Sequence, residues 1–325
     1  MPDRAVQLAL AIIAIPALLV AYQVVAERGL KLLPRRAVRA LEAWVWVGPA
    51  AALFMVFLLL PAFGTVILSL FDRRSTGFVG LENYANALAN PDFQVAVRNS
   101  AAWLIFLPLA AVIVGLLMAV LTDRVRYGRA ARATLFVPVA ISSVAGAVIW
   151  RFMYDYRPPG ADQTGTLNAA LTSLVPGAAP QAWLINAPLN SAMVIVAAVW
   201  MTAGFCMVVL SAGLKGMPPE LLESARVDGA GEWQAFRRIT LPLLAPTITV
   251  VVTTMAITAL KSFDLVYVMT SGNHDTDVIA TRMFKELFSS RDVGYASAIA
   301  VLLMLAILPV MIWNLGSFRR QESMR

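Results

Sequence analysis

The chain has 325 residues, 59% of them hydrophobic and only 14% charged, against roughly 45–50% apolar and about 25% charged in soluble domains. The excess sits in blocks of roughly 20 residues, the length a helix needs to cross a hydrocarbon core of about 30 Å, so the composition points away from a soluble domain. The formal charge of +7 gathers in particular loops, as a topology signal does, and is not read as a nucleic-acid-binding surface.

Helices are predicted near Val6–Ala26, Trp44–Leu70, Ala101–Leu121, Thr134–Phe152, Leu189–Leu210, Ala245–Val268 and Tyr295–Leu315. Within a bilayer the backbone must satisfy its own hydrogen bonds, which makes each block a helix. A transmembrane barrel would alternate apolar and polar residues, and a run such as Ala111-Val112-Ile113-Val114 does not. The second block is long enough to tilt or to continue past the membrane.

The loops sort by charge. Glu27–Ala43, Thr122–Ala133, the loop after the fifth helix and the C-terminal tail are rich in Arg and Lys, while Phe71–Val97, Met153–Pro188 and Met269–Gly294 are mixed or nearly neutral. The two kinds alternate along the chain. Positive-inside logic puts the tail in the cytoplasm and, with about seven spans, the N-terminus outside. The first block also has a weak resemblance to a signal peptide, ending Val24-Val25-Ala26. Its charged start is thin, with Arg4 against Asp3, and cleavage would leave a basic segment outside, so a retained helix is expected.

Several chemistries are missing from the sequence. There is no Gly-x-x-x-x-Gly-Lys-Ser/Thr phosphate loop, so ATP hydrolysis by this chain is not expected. His274 is the single histidine and Cys206 the single cysteine, which excludes a disulfide within the chain and offers neither a metal set nor a Cys–His pair. His274 reads as a solvated turn residue and Cys206 as a small hydrophobe. Paired intramembrane carboxylates, expected of many proton-coupled carriers, are absent.

The segment Met217–Pro242 has more pattern than a connector needs. Pro218 and Pro219 suit a first helical turn, Glu220 and Glu223 lie near its positive end, and Leu221, Leu222 and Ala225 form a small apolar stripe. Gly229 sits where a C′ glycine stops a helix. A second amphipathic piece follows with Trp233, Phe236 and Ile239, and Pro242 and Pro246 are expected to mark the turn into the next span. Such an apolar surface either packs on its own membrane domain or docks on another protein.

Glu223-Ser224-Ala225, then Gly229, then Ile239-Thr240-Leu241-Pro242 resembles the EAA loop of binding-protein-dependent ABC importer permeases, with Ser224 in place of the first alanine. The resemblance covers roughly residues 99–315. Phe263–Gly272, Gly294–Ala298 and Leu81-Glu82-Asn83-Tyr84 resemble further segments of the carbohydrate-importer branch, of maltose or α-glucoside type. It implies an all-α integral membrane protein with the type I importer permease fold. The expected organisation is an extra N-terminal helix and basic loop (1–43), a second helix and external segment (44–98), the core permease domain (99–316) and a cytoplasmic tail (317–325).

The resemblance also implies a mechanism. The loop would seat in an ATP-binding subunit through Glu223, Ser224, Ala225, Asp228, Gly229, Ile239, Leu241 and Pro242, with Asp228 capping or orienting the second piece. The expected partners are a second homologous permease, two ATP-binding subunits and an extracytoplasmic solute-binding protein, in membrane lipid and with no nucleic acid. ATP and Mg belong to the ATP-binding subunits, and this chain itself is expected to bind no cofactor and no metal. Polar or aromatic groups inside apolar helices are the candidates for a solute path: Trp200, Thr202 and Phe205 on the fifth helix, and Thr254, Thr258, Lys261, Ser262, Asp264 and Tyr267 on the sixth. Threonines also bond their own helix backbone, and Lys261 and Asp264, three residues apart, are able to pair with each other. The set suits a sugar, a disaccharide or α-glucoside by resemblance, with a glycerol-3-phosphate-like solute as the alternative because Lys261 could meet a phosphate. A membrane enzyme using Asp155, Arg157 and Asp162 lacks a nucleophile–base or metal arrangement, and an independent channel or carrier has no need of an EAA-type loop.

Overall fold

The structure, a computed structural model, describes residues 17–18, 20–32 and 34–322. The chain divides into two compact units, Met1–Gly64 and Thr65–Arg325.

In the first unit, residues 20–31 are helical, so the chain runs past Ala26 without a break and part of the expected Glu27–Ala43 loop is helix. The rest of the predicted Val6–Ala26 helix lies outside the described residues. Helix α1 (Arg35–Phe54) follows Pro34, leads through a π-helical turn at Met55–Leu59, and continues as α2 (Leu60–Leu68). The turn ends where Leu60 donates its N–H to the Met55 carbonyl, one residue before Pro61. Proline has no N–H for the ordinary ladder and its ring crowds the carbonyl four residues back, and a π turn absorbs both without breaking the helix. Leu41–Leu68 is long and apolar enough to span a membrane.

In the second unit, which starts at Thr65 within α2, the next helices are α3 (Glu82–Ala89) and α4 (Pro91–Asp123). α4 starts ten residues before the predicted Ala101. Its N-cap Asn90 accepts hydrogen bonds from the N–H groups of Asp92 (2.9 Å) and Phe93 (3.4 Å), with Pro91 at the first helical position; this is a strong start signal. The hydropathy pattern missed the opening turns because they carry Arg98, Asn99 and Ser100. Asn99 and Ser100 are nonetheless buried. The Asn99 amide donates to the carbonyls of Asp275 (2.6 Å) and Asp277 (2.8 Å), and Ser100 Oγ accepts from Ile279 N–H at 3.0 Å.

Next come α5 (Gly128–Phe136), a 3-10 turn at Val137–Ala140, and α6 (Ser143–Met153). The predicted single helix Thr134–Phe152 is therefore a pair, Gly128–Ala140 and Ser143–Met153, bent by 99°. Pro138 and the Ser142 N-cap, whose Oγ accepts from Ala145 N–H, explain the corner. After α7 (Thr166–Leu174), α8 (Leu189–Lys215) packs along α4. Their seam is a stripe of small residues, Ala111, Gly115 and Ala119, set against the fully buried Cys206, Met207 and Leu210. Small residues let helix backbones approach closely where lipid supplies no hydrophobic drive. Cys206 is thus a packing residue.

The loop 217–242 carries α9 (Pro219–Val227) and α10 (Glu232–Ala235). α10 passes through a π turn at Phe236–Thr240 into α11 (Leu241–Leu260). Here the structure corrects the expected turn at Pro242 and Pro246, because Glu232–Leu260 is one span of 29 residues. Leu241 donates its N–H to the Phe236 carbonyl one residue before Pro242, the same device seen before Pro61. The predicted helix Ala245–Val268 is also corrected. α11 stops at Leu260, and α12 (Asp264–Thr270) restarts after Lys261-Ser262-Phe263. The chain ends with α13 (Ile279–Phe288) and α14 (Val293–Glu322).

Among the described residues no element is a strand, the backbone pairing of Phe71 with Phe78 being an isolated bridge. Four helices there are long and apolar enough to cross a membrane, five if the bent pair counts as one span, and Val293–Pro309 is a shorter apolar helix.

Two short segments singled out in the sequence meet in space. Asn83 donates its amide to the carbonyls of Ser69 (2.9 Å) and Phe71 (2.7 Å). Gly294 lies against the same strand of chain, where a Cβ would stand 2.1 Å from the Phe71 oxygen and 3.0 Å from the Asn83 amide.

Candidate functional site

Two regions carry the sequence-predicted residues. The first is the loop 217–242. α9 closes with a full Schellman arrangement: Gly229 N–H donates to the Arg226 carbonyl (3.1 Å) and Ala230 N–H to the Ala225 carbonyl (2.9 Å). Gly229 has φ of +81°, the left-handed geometry this motif requires and a side chain resists. Ala225 is buried beneath the turn, while Glu223, Ser224, Asp228 and Gly229 are exposed. Asp228 ends α9 and makes no capping bond to α10, whose N-cap is Gly231 without a side-chain partner. The expected capping role for Asp228 is therefore not found. Ile239 and Leu241 are half-buried and Pro242 is exposed in the helix that runs on from α10.

Sequence reasoning passed over Glu232. Its Oε1 accepts from Arg226 Nε (3.1 Å) and pairs with Arg226 NH2 (2.9 Å), and its Oε2 meets Arg124 NH2 at 3.5 Å. No single-residue pattern gives this away, since Arg124 is distant in the chain. Val227 and Trp233 present apolar side chains 87% and 72% exposed on the same loop. Trp233 has one face on Phe236, with ring centroids 5.8 Å apart.

The second region is a cavity of about 400 Å³. Val139, Ile141 and Ser143 reach it from the 99° bend, and Lys261, Ser262 and Asp264 from the break between α11 and α12. Non-helical backbone at membrane depth is tolerated only where protein covers it or it lines a cavity. Thr202, Phe205, Thr254 and Thr258 complete the predicted set, and Trp103, Leu107, Met201 and Met255 supply apolar walls. Two expected path residues are not among the lining residues. Trp200 lies edge-on against Trp150 at 5.8 Å, and Tyr267 stacks on Phe263 at 5.1 Å, one turn beyond Asp264.

The hydroxyls of Thr202, Thr254 and Thr258 donate to their own helix carbonyls at 2.8–2.9 Å, and Ser262 donates to the Ala259 carbonyl. Their oxygens remain free to accept. Lys261 and Asp264 have no ion-pair partner among the described residues, so the pairing open to them at three-residue spacing does not form. The helix break explains this, since Lys261 caps the negative C-terminal end of α11 and Asp264 lies in the positive first turn of α12. Thr258, Lys261, Asp264 and Tyr267 are all exposed at three-residue spacing. Ionisable groups on a membrane helix face water or protein and not lipid.

Residues 111–322 match the family described as binding-protein-dependent transport system inner membrane component. This chain belongs to that family. It is a multi-pass membrane permease of an ABC importer, and ATP hydrolysis in this family is the work of a separate subunit. The osmoprotective compounds uptake permease protein GgtC of Synechocystis sp. is 49% identical over 281 residues, which cover 86% of this permease and 100% of the relative. The alpha-glucoside transport system permease protein AglF of Rhizobium meliloti is 40% identical over 288 residues, covering 88% and 85%. The permease also shares its fold with a chain of a bacterial ABC transporter involved in the import of the acidic polysaccharide alginate, with a TM-score of 0.74, 24% identity, and coverage of 88% of this chain and 99% of that one.

Proposed function

We propose that this permease passes an uncharged α-glucoside or disaccharide across the cytoplasmic membrane by alternating access. The cavity where the 99° bend faces the α11–α12 break carries this reading. It offers hydroxyl acceptors on three helices, one ammonium and one carboxylate that are not paired with each other, and apolar and aromatic walls. A sugar has hydroxyls for both charges and apolar ring faces for the walls. A phosphate-bearing solute would meet Asp264 as well as Lys261, and like charge close by is unfavourable. The names of GgtC and AglF support an osmoprotectant or α-glucoside as cargo.

The assembly proposed is this permease with a second homologous permease covering the exposed Thr258–Tyr267 stripe, two ATP-binding subunits holding ATP and Mg, and an extracytoplasmic receptor. Glu223, Ser224, Ala225, Asp228, Gly229, Ile239, Leu241 and Pro242 form the contact with an ATP-binding subunit. The exposed Val227 and Trp233 are consistent with that docking, since covering their apolar area would be favourable. This orientation puts loop 217–242 and the C-terminus in the cytoplasm and the N-terminus outside.

The test is uptake by the complete importer in proteoliposomes, supplied with its receptor and ATP and offered labelled maltose, sucrose or methyl α-glucoside against labelled glycerol 3-phosphate. ATP-dependent accumulation of one of the glucosides is expected. Accumulation of glycerol 3-phosphate alone would overturn the cargo assignment, and a chain that retains no ATP-binding subunit on purification would overturn the assembly.

A further inference from the structure

Loop 217–242 has to transmit force to a cavity at the far end of a helix. That connection is visible on one side. α10, its π turn and α11 form one continuous helix, Glu232–Leu260, about 43 Å long at 1.5 Å per residue. Glu232 is its first residue, and Lys261, at the cavity, follows its last. α9, the element that carries Glu223 and Gly229, is not part of that helix. Gly229, Ala230 and Gly231 separate the two, and nothing lies within 4 Å of where a Cβ on Gly229 or Gly231 would stand. Beneath the junction is a second cavity of about 310 Å³, lined by Met217, Leu222, Arg226, Glu232, Phe236 and Arg124 among others. Apart from the buried Ala225 and Ala235, the joint between α9 and the long helix is thus incompletely filled by packing.

The joint is bridged by charge. Arg226 in the last turn of α9 places two guanidinium nitrogens on one oxygen of Glu232. The other oxygen meets Arg124, the C-cap of α4, and α4 reaches the same solute cavity through Trp103 and Leu107. One carboxylate thus ties the docking helix to both spans that wall the cavity. We propose that Glu232 is the positioning residue of the coupling loop, holding α9 rigidly to α11 and α4 so that movement of the ATP-binding subunit reaches the cavity. An exposed ion pair contributes little to stability. The expected effect is accordingly on coupling, with folding and docking retained.

This inference rests on the proposed function and is tested in the same proteoliposomes, with maltose, sucrose and methyl α-glucoside as probes and solute taken up per ATP hydrolysed as the readout. Glu232→Gln keeps the shape of the side chain and removes its charge. It is expected to retain the ATP-binding subunits on purification and to lower solute per ATP by about threefold or more, on the scale of one to two ion pairs. Exchange of the charges, Arg226→Glu with Glu232→Arg, is expected to recover part of that loss relative to Glu232→Arg alone, because the α9 joint is remade while the Arg124 contact is not. Arg124→Gln, which leaves the α9 joint intact, is expected to give a smaller loss than Glu232→Gln. A merely structural role would change the amount of assembled importer and leave solute per ATP unaltered. Unchanged solute per ATP in Glu232→Gln, or an exchange variant no better than Glu232→Arg, overturns the inference while the proposed function stands. A wild-type importer that takes up none of the three glucosides overturns the cargo assignment first, and the inference with it.

Discussion

Lys261 and Asp264 stand on either side of a break in a membrane helix, line the same cavity, and do not pair with each other. Each faces the helix end whose partial charge suits it. A pair locked together would offer a solute little, whereas two separated charges hold a donor and an acceptor ready for sugar hydroxyls. Lys261→Met and Asp264→Asn are each expected to lower the maximal uptake rate by about tenfold or more, the scale of losing one hydrogen bond to a charged group. The half-saturating solute concentration should stay near that of wild type, because the receptor and not the cavity captures solute first. A raised half-saturation with unchanged maximal rate would count against the cavity.

At Gly229 the backbone and the space around it make separate demands. The φ of +81° disfavours any side chain, yet nothing stands within 4 Å of a Cβ. If conformation alone matters, Gly229→Asn, which tolerates the left-handed region, should keep more uptake than Gly229→Ala, and Gly229→Val should keep least. The left-handed penalty is about 1–2 kcal/mol, enough to lower retention of the ATP-binding subunit severalfold. Co-purification and uptake are the measurements. Equal loss in Gly229→Asn and Gly229→Val would mean that the partner's surface fills the space. Wild-type values in all three variants would remove Gly229 from the coupling contact.

Gly294 and Asn83 make a pair whose role is structural. A methyl on Gly294 would stand 2.1 Å from the Phe71 carbonyl that Asn83 holds. Gly294→Ala is expected to destabilise by about 1–3 kcal/mol through overpacking, and Asn83→Ala by about 1–3 kcal/mol by leaving buried carbonyls unpaired. Cys206 is the only cysteine and is fully buried. Its labelling by a thiol-reactive dye during heating therefore reports unfolding. Labelling at the wild-type temperature in both variants would refute the contact.

These contacts mark what the sequence could and could not reveal. Hydropathy located the blocks, and the spacing from Glu223 to Pro242 pointed to a helix stop at Gly229, because a left-handed stop has a residue signature. The helix break at Lys261 was not legible, since apolar residues continue on both sides and none of Lys261, Ser262 and Phe263 is a strong breaker. The continuity through Pro242 was missed for the opposite reason, as proline reads as a stop until a π turn accommodates it. Asn99 and Ser100 fell just before the predicted helix start, because the partners that bury them lie more than 170 positions away in the chain. Glu232 carries no sequence signal for its second partner, because Arg124 approaches it only through the fold. Trp200 and Tyr267 have the residue types of a solute path; they stand outside the cavity lining, against Trp150 and Phe263, and keep exposed ring surface.

Asp277, outside the membrane spans, gives a pH test with a definite sign. Its carboxylate is buried in the segment between α12 and α13, where one oxygen pairs with Lys285 at 3.0 Å and the other has no hydrogen-bond partner. Burial pushes its pKa above the ordinary value, and this outweighs the opposing pull of Lys285 and Arg282. The folded protein therefore holds a proton on Asp277 in a window where the unfolded chain has already lost it. The group's contribution to stability is fully present below the usual aspartate range, and it is lost as pH rises through the folded value. Asp277→Asn keeps the shape and cannot titrate. The stability of wild type relative to Asp277→Asn should rise as pH is lowered from neutrality toward about 4. Unfolding temperatures followed by intrinsic tryptophan fluorescence across that range measure the difference. A gap that is flat with pH, or that closes on acidification because loss of the Lys285 pair dominates, would show that Asp277 is held by its ion pair more strongly than burial opposes it.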